Sequence, residues 1–66
     1  MENSISKNIR RIRQKKRISQ DRLSKKADLA FHTIAKIESG ATPDPRVETV
    51  KKIADALGVS IYDLMR

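Results

Sequence analysis

The chain has 66 residues, 38% hydrophobic and 35% charged, with no cysteine; this suffices for one small domain over 1–66 and is too short for a second core. The missing cysteines exclude disulfides and a structural zinc site, and no apolar run approaches the ~18 residues of a membrane span or a signal-peptide core. Fifteen Lys+Arg against eight Asp+Glu give +7, a balance that favours polyanionic partners.

Five helices and no strand are predicted. Ile5, Ile9 and Ile12 recur at i, i+4 and i+7, an apolar stripe that predicts a helix over about 5–16, with Ser4 or Ser6 as its cap. Ser19 caps the next helix, and Asp21 adds negative charge to its first turn. Leu23 and Ala27 share one face, so this helix covers about 20–27 and stops at Asp28. A third helix over about 31–38 turns Ile34 and Ile37 inward and ends at Ser39-Gly40, where glycine suits a left-handed position. Ala30 stands before it and offers no capping side chain. Gly40 to Pro45 reads as a loop. Val47, Val50, Ile53, Ala54 and Leu57 then share a helical stripe over about 47–57, ended by Gly58. Ser60 and Asp63 have capping-box spacing, which predicts a short fifth helix over about 61–65. No segment alternates with period two, and the connections are short, so a compact all-α domain is expected.

The charge is uneven along these elements. Residues 1–36 hold eleven basic and three acidic residues (+8), and residues 37–66 hold four and five (−1). The basic half therefore suits DNA, RNA or anionic lipid, the plain alternative being a solvated basic face. The second and third helices are joined by only Asp28-Leu29-Ala30, the geometry of a helix-turn-helix. Asp28 needs a positive φ in such a turn, which Asp tolerates better than most residues.

Stretches along nearly the whole chain carry a resemblance. They are Ile9-Arg10-Arg11-Ile12-Arg13, Ile18-Ser19-Gln20, Leu23-Ser24-Lys25-Lys26-Ala27, Ile34-Ala35-Lys36-Ile37-Glu38-Ser39-Gly40, and Lys52 to Ser60. In this order and spacing the chain resembles the lambdoid repressor/Cro type of helix-turn-helix DNA-binding domain, the XRE family. The resemblance implies a five-helix, lambda-repressor-like fold with its third helix in the DNA major groove. It also implies a homodimer on a near-palindromic operator, with half-sites about one helical turn apart.

The resemblance assigns roles residue by residue. Phe31, His32 and Lys36 fall where relatives place base-reading side chains. Phe31 is unusual at a commonly polar position: it either touches a thymine methyl group or tucks into the core. Arg13, Ser19, Gln20, Thr33, Thr42 and Arg46 match backbone-gripping positions, and Gln20 also braces the recognition helix. Arg13 and Glu38 match a salt bridge between the first and third helices. Asp44 departs from more basic loops and weakens phosphate attraction locally. Val59, Ile61, Tyr62 and Met65 either complete the core or form an apolar dimer patch.

The expected function is a sequence-specific, double-stranded-DNA-binding transcriptional regulator in the cytoplasm, at the nucleoid. An alternative is an antitoxin-type module that grips a partner toxin and autoregulates its operon; RNA polymerase is a further possible partner. One histidine, no cysteine and no paired carboxylates argue against an enzyme, a metal site or a cofactor. Phe31 and Tyr62 stand far apart in the chain, with no stacking platform for RNA.

Overall fold

The computed structural model describes residues 4–66. Five helices follow in order: α1 (Ser4–Lys15), α2 (Gln20–Ala27), α3 (Phe31–Ser39), α4 (Val47–Leu57) and α5 (Ile61–Met65). No strand occurs among the described residues. Relative to the apolar spacing, α1 is shifted one residue towards the N-terminus and α3 runs one residue further. α3 packs on α1 and α2, α4 lies against α2, and α5 closes the bundle against α1 and α4. Each helix contributes a stripe to one core of Ile9, Leu23, Ile34, Ile37, Val50, Ile53, Ala54, Leu57 and Leu64.

Three of the four turns use the same device. After α1, α2 and α4 one residue turns left-handed: Arg17 (φ 57°), Asp28 (φ 57°) and Gly58 (φ 72°). The following amide then reaches back five residues: Ile18 to the Arg13 carbonyl (3.2 Å), Leu29 to Ser24 (2.9 Å) and Val59 to Ala54 (3.0 Å). Each of these three apolar residues packs against the core, as this helix stop requires. Asp28 thus takes the positive φ that a tight α2–α3 turn demands. Arg17 takes the same conformation without a glycine's freedom, a strain of about 1–2 kcal/mol.

Several local expectations change. Ser6 does not cap α1; it lies inside the helix, buried, and its hydroxyl donates to the Ile37 carbonyl. The Ser4 side chain lies outside the described residues. Val47 shares the spacing of the α4 stripe but is 71% exposed, because it stands in the first turn, before α4 meets α2. Leu64, on the short α5, is fully buried.

The C-terminal helix is held by a polar clamp. Asn8, itself buried, donates from Nδ2 to the Leu64 carbonyl (2.9 Å) and the Arg66 carbonyl (2.7 Å). These are end-of-helix carbonyls with no partner inside α5. Replacing Asn8 with alanine leaves them without this donor and is expected to cost about 1–3 kcal/mol, measurable by urea unfolding.

At its other end α5 has a reciprocal cap. The Asp63 amide donates to Ser60 Oγ, and the Ser60 amide donates to Asp63 Oδ2, both at 3.1 Å. The Ser60 backbone bond, then the Ser60 side chain, and last the Arg66 charge hold the Asp63 carboxyl below its ordinary range. A carboxyl lowered in the folded state stabilises it above its unfolded pKa and loses that contribution as pH falls through the folded value. The gap in Tm between the wild type and Asp63→Asn is therefore expected to be full near neutral pH. It should close as the pH drops below the ordinary carboxylate range.

Candidate nucleic-acid interface

α3 buries Ile34, Ile37 and Glu38 and turns the opposite stripe outward. Phe31, His32, Lys36 and Ser39 are exposed, and Ala35 is half-buried between them. The spacing of these residues is that of one helical face. Phe31 is 48% exposed and stands outside the core, which removes the core reading of this side chain. Ala30 precedes α3 with extended backbone and no side-chain cap, so the first amides of α3 receive no oxygen from that side chain.

Two shallow clefts flank this ridge. One, of about 370 Å³, is bounded by Thr33 and Lys36 on α3, Thr42 and Asp44 in the loop, and Arg46 and Thr49 where α4 begins. It gathers four residues predicted from sequence. Thr49 was not among them; its only signal is its place in the first turn of α4, beside Arg46. The other cleft, about 260 Å³, lies along His32, Ala35, Lys36 and Ser39. Both have a cation, Lys36, on the shared rim. A turn fixes the loop side: the Thr42 amide donates to the Lys36 carbonyl at 3.1 Å.

The rigidity of α3 comes from its buried end. Glu38 is 3% exposed, yet its carboxylate is fully engaged. Arg13 donates from Nε to Oε2 (2.6 Å) and from Nη2 to Oε1 (2.9 Å), a two-pronged pairing. Gln20 Nε2 adds a bond to Oε1 at 3.1 Å. Arg13 Nη1 then reaches the Ile18 carbonyl at 2.7 Å. One carboxylate thus ties α3 to α1, to the α1–α2 turn and to the start of α2. Planar guanidinium geometry suits such a pairing in a way lysine does not.

α1 supplies further donors to the same end. Ser6 donates to the Ile37 carbonyl and Arg10 Nη1 to the Glu38 carbonyl (3.3 Å). Ser6, Arg10 and Arg13 stand at i, i+4 and i+7, one face of α1 beside its isoleucine stripe. Ser6 and Arg10 cap carbonyls of the last turn of α3 from a neighbouring helix, and Arg10 and Arg13 set two positive charges at its negative end. The sequence reads Ser6 as a cap of α1 and Arg10 as one of the basic residues, with no bond to α3 for either; their helical spacing with Arg13 was the available signal.

The remaining predicted residues fall as follows. Ser19 is the α2 cap and accepts from the Arg22 amide at 3.0 Å, which leaves its O–H free to donate outward. Val59 and Ile61 pack against the core, whereas Tyr62 and Met65 are 69% and 51% exposed. Val59 turns inward because it is the apolar residue of the α4 stop. Val59 and Ile61 thus complete the core, and Tyr62 and Met65 make the outward apolar surface of α5. The Arg66 guanidinium lies 5.7 Å from the Tyr62 ring centroid.

Away from this face, α2 and α4 border a third shallow groove, of about 300 Å³, with Lys26 and Lys52 set against Asp28 and Asp55. Exposed pairs nearby, Lys25–Asp21 (3.2 Å) and Lys51–Asp55 (3.5 Å), are worth little individually. Among the described residues no group of three His, Cys, Asp or Glu could hold a metal ion. No helix among them is long and apolar enough to cross a membrane.

The family model described as Helix-turn-helix matches residues 9–64, which takes in α2, α3 and α4 whole, α5 up to its last residue and more than half of α1. No curated protein and no solved structure matches the chain.

Proposed function

Because the chain belongs to the helix-turn-helix family of the lambdoid repressor/Cro type, and so is a DNA-binding regulator, we propose that it reads an operator with the exposed face of α3. The single observation that supports this most is the convergence on one face of His32, Lys36 and the Thr33–Thr42–Arg46 cleft. In this reading α3 enters the major groove. Phe31, His32 and Lys36 meet base edges. Ser19, Gln20, Thr33, Thr42 and Arg46 grip phosphates, as does Arg13 with the two N–H groups that Glu38 and Ile18 leave over. Phosphate contacts set the position and base contacts set the choice of sequence. The exposed cations of α1 and α2 add long-range attraction. This work belongs in the cytoplasm, on the nucleoid.

The operator is near-palindromic and the protein binds it as a dimer, with half-site centres ~10 bp apart. Tyr62 and Met65 on α5 form the apolar contact between copies. Selection of sites from random duplex DNA at near-physiological salt tests the reading. Enrichment of a two-fold-symmetric motif is expected. No enrichment, with binding that collapses steeply as salt rises, would reduce the activity to backbone attraction. Sedimentation that shows a monomer both free and on the selected site would remove the dimer. The antitoxin reading has no observation in its favour here beyond the α2–α4 groove, whose mixed charges suit no nucleic acid.

Asp44 opposes DNA in this reading, since its carboxylate shares the phosphate cleft with Lys36 and Arg46. Asp44→Asn is expected to tighten binding to the selected site about two- to fivefold. The gain should shrink with added salt. Fluorescence anisotropy titrations at two salt concentrations check both statements.

A further inference from the structure

The outward face of α3 carries two rows. Phe31 and Ala35 stand four residues apart, and so do His32 and Lys36; residues at this spacing lie one above the other. The first row is apolar and the second is polar and cationic. Phe31 keeps 48% of its surface exposed while every other large apolar residue of α3 is buried. An exposed aromatic ring beside a lysine, in the half of the chain that carries +8 (eleven basic minus three acidic), fits a ligand that is polyanionic overall yet presents a small apolar group. In the major groove that group is the methyl on C5 of a pyrimidine. Thymine carries it; cytosine presents only an amino donor and gains the same methyl, on the same ring carbon, when methylated.

We propose that Phe31, flanked by the Ala35 methyl, reads the 5-methyl group of one pyrimidine in each half-site, so that affinity depends on methylation of that base. The inference rests on the proposal that α3 reads DNA and adds the chemistry read by the apolar row. His32 and Lys36 take the neighbouring base-edge acceptors, for which Lys36 favours guanine O6 and N7. Phe31 itself makes no hydrogen bond to a base, so its discrimination is by contact area alone. One methyl group removed from water is worth about fourfold in affinity.

The test uses the full chain and the duplex enriched from random DNA. Each thymine of a half-site is replaced in turn by uracil, which removes only the methyl group. At the responsive position, thymine, uracil, cytosine and 5-methylcytosine are then compared. One replacement per half-site should weaken wild-type binding about fourfold, and replacement in both half-sites about fifteenfold. 5-Methylcytosine should bind tighter than cytosine by a similar factor. Both differences should vanish in Phe31→Ala, with helical circular dichroism confirming its fold. Tighter binding of thymine than of 5-methylcytosine assigns the methyl to an A·T pair, and the reverse order assigns it to methylated cytosine. Equal affinities for thymine and uracil at every position, with cytosine equal to 5-methylcytosine, would overturn the inference on the wild type alone. So would a methyl effect undiminished in Phe31→Ala. Failure of the wild type to enrich any site would instead overturn the DNA-reading proposal and this inference with it.

Discussion

Glu38→Ala is expected to destabilise the protein by about 3–5 kcal/mol, the usual result of removing one partner from a buried ion pair. The Arg13 side chain is only 12% exposed and would keep its charge with no carboxylate beside it. Gln20 would lose its acceptor as well. A domain of 66 residues has roughly 3–10 kcal/mol in total, so the loss takes from about a third to all of the stability. The Tm should fall by at least roughly 12 °C. The charge can be separated from the shape. A double variant, Arg13→Met with Glu38→Leu, removes both charges and should recover much of the loss, because well-packed apolar replacements of a buried pair are often near neutral. Its DNA binding should stay weak even where its stability returns, since the tie from α3 to α1 and α2 and the Arg13 phosphate contact would both be gone. Urea unfolding and anisotropy on the same preparations separate the two effects.

The second large effect concerns sequence choice. His32→Ala with Lys36→Ala removes two base-edge contacts worth about 1–3 kcal/mol each. Together they should weaken binding to the selected site by about 2–6 kcal/mol, if the two losses add. Both side chains are exposed and carry no core packing, so the Tm should change little. Binding to unrelated duplex should fall far less, because the cations of α1 and α2 are untouched. An equal loss on selected and unrelated DNA would show that these two residues add charge and not sequence choice.

Much of the fold is legible in the sequence because period and punctuation agree. The stripe Ile5-Ile9-Ile12, the Ser19 cap, the Asp28 turn and the glycines at 40 and 58 each mark an element or its end. The Ser60–Asp63 cap was legible for the same reason: its two halves are only three residues apart. What stayed hidden depends on contacts between distant segments. Asn8 is polar at the edge of an apolar stripe, and nothing local tells that the carbonyls of residues 64 and 66 end beside it. Ser6 looked like a cap because serine often is one; its bond goes 31 residues away. Val47 has the right period but stands before the helix reaches its neighbour. Val59 was ambiguous between core and surface until the α4 stop fixed its direction. For the candidate site, the family resemblance pointed to Phe31, His32 and Lys36, and their helical spacing agrees with one face of α3. The Thr49 side of the cleft needed the loop path between α3 and α4.

The most direct measurement is the change in backbone amide resonances of isotope-labelled protein as the selected duplex is added. The largest shifts are expected from residue 31 to residue 36, and at Thr42, Arg46 and Thr49, with the groove of Lys26, Asp28, Lys52 and Asp55 left nearly unchanged. Shifts centred on that α2–α4 groove, or spread evenly over the basic surface with no focus on α3, would contradict the assignment of α3 as the reading element.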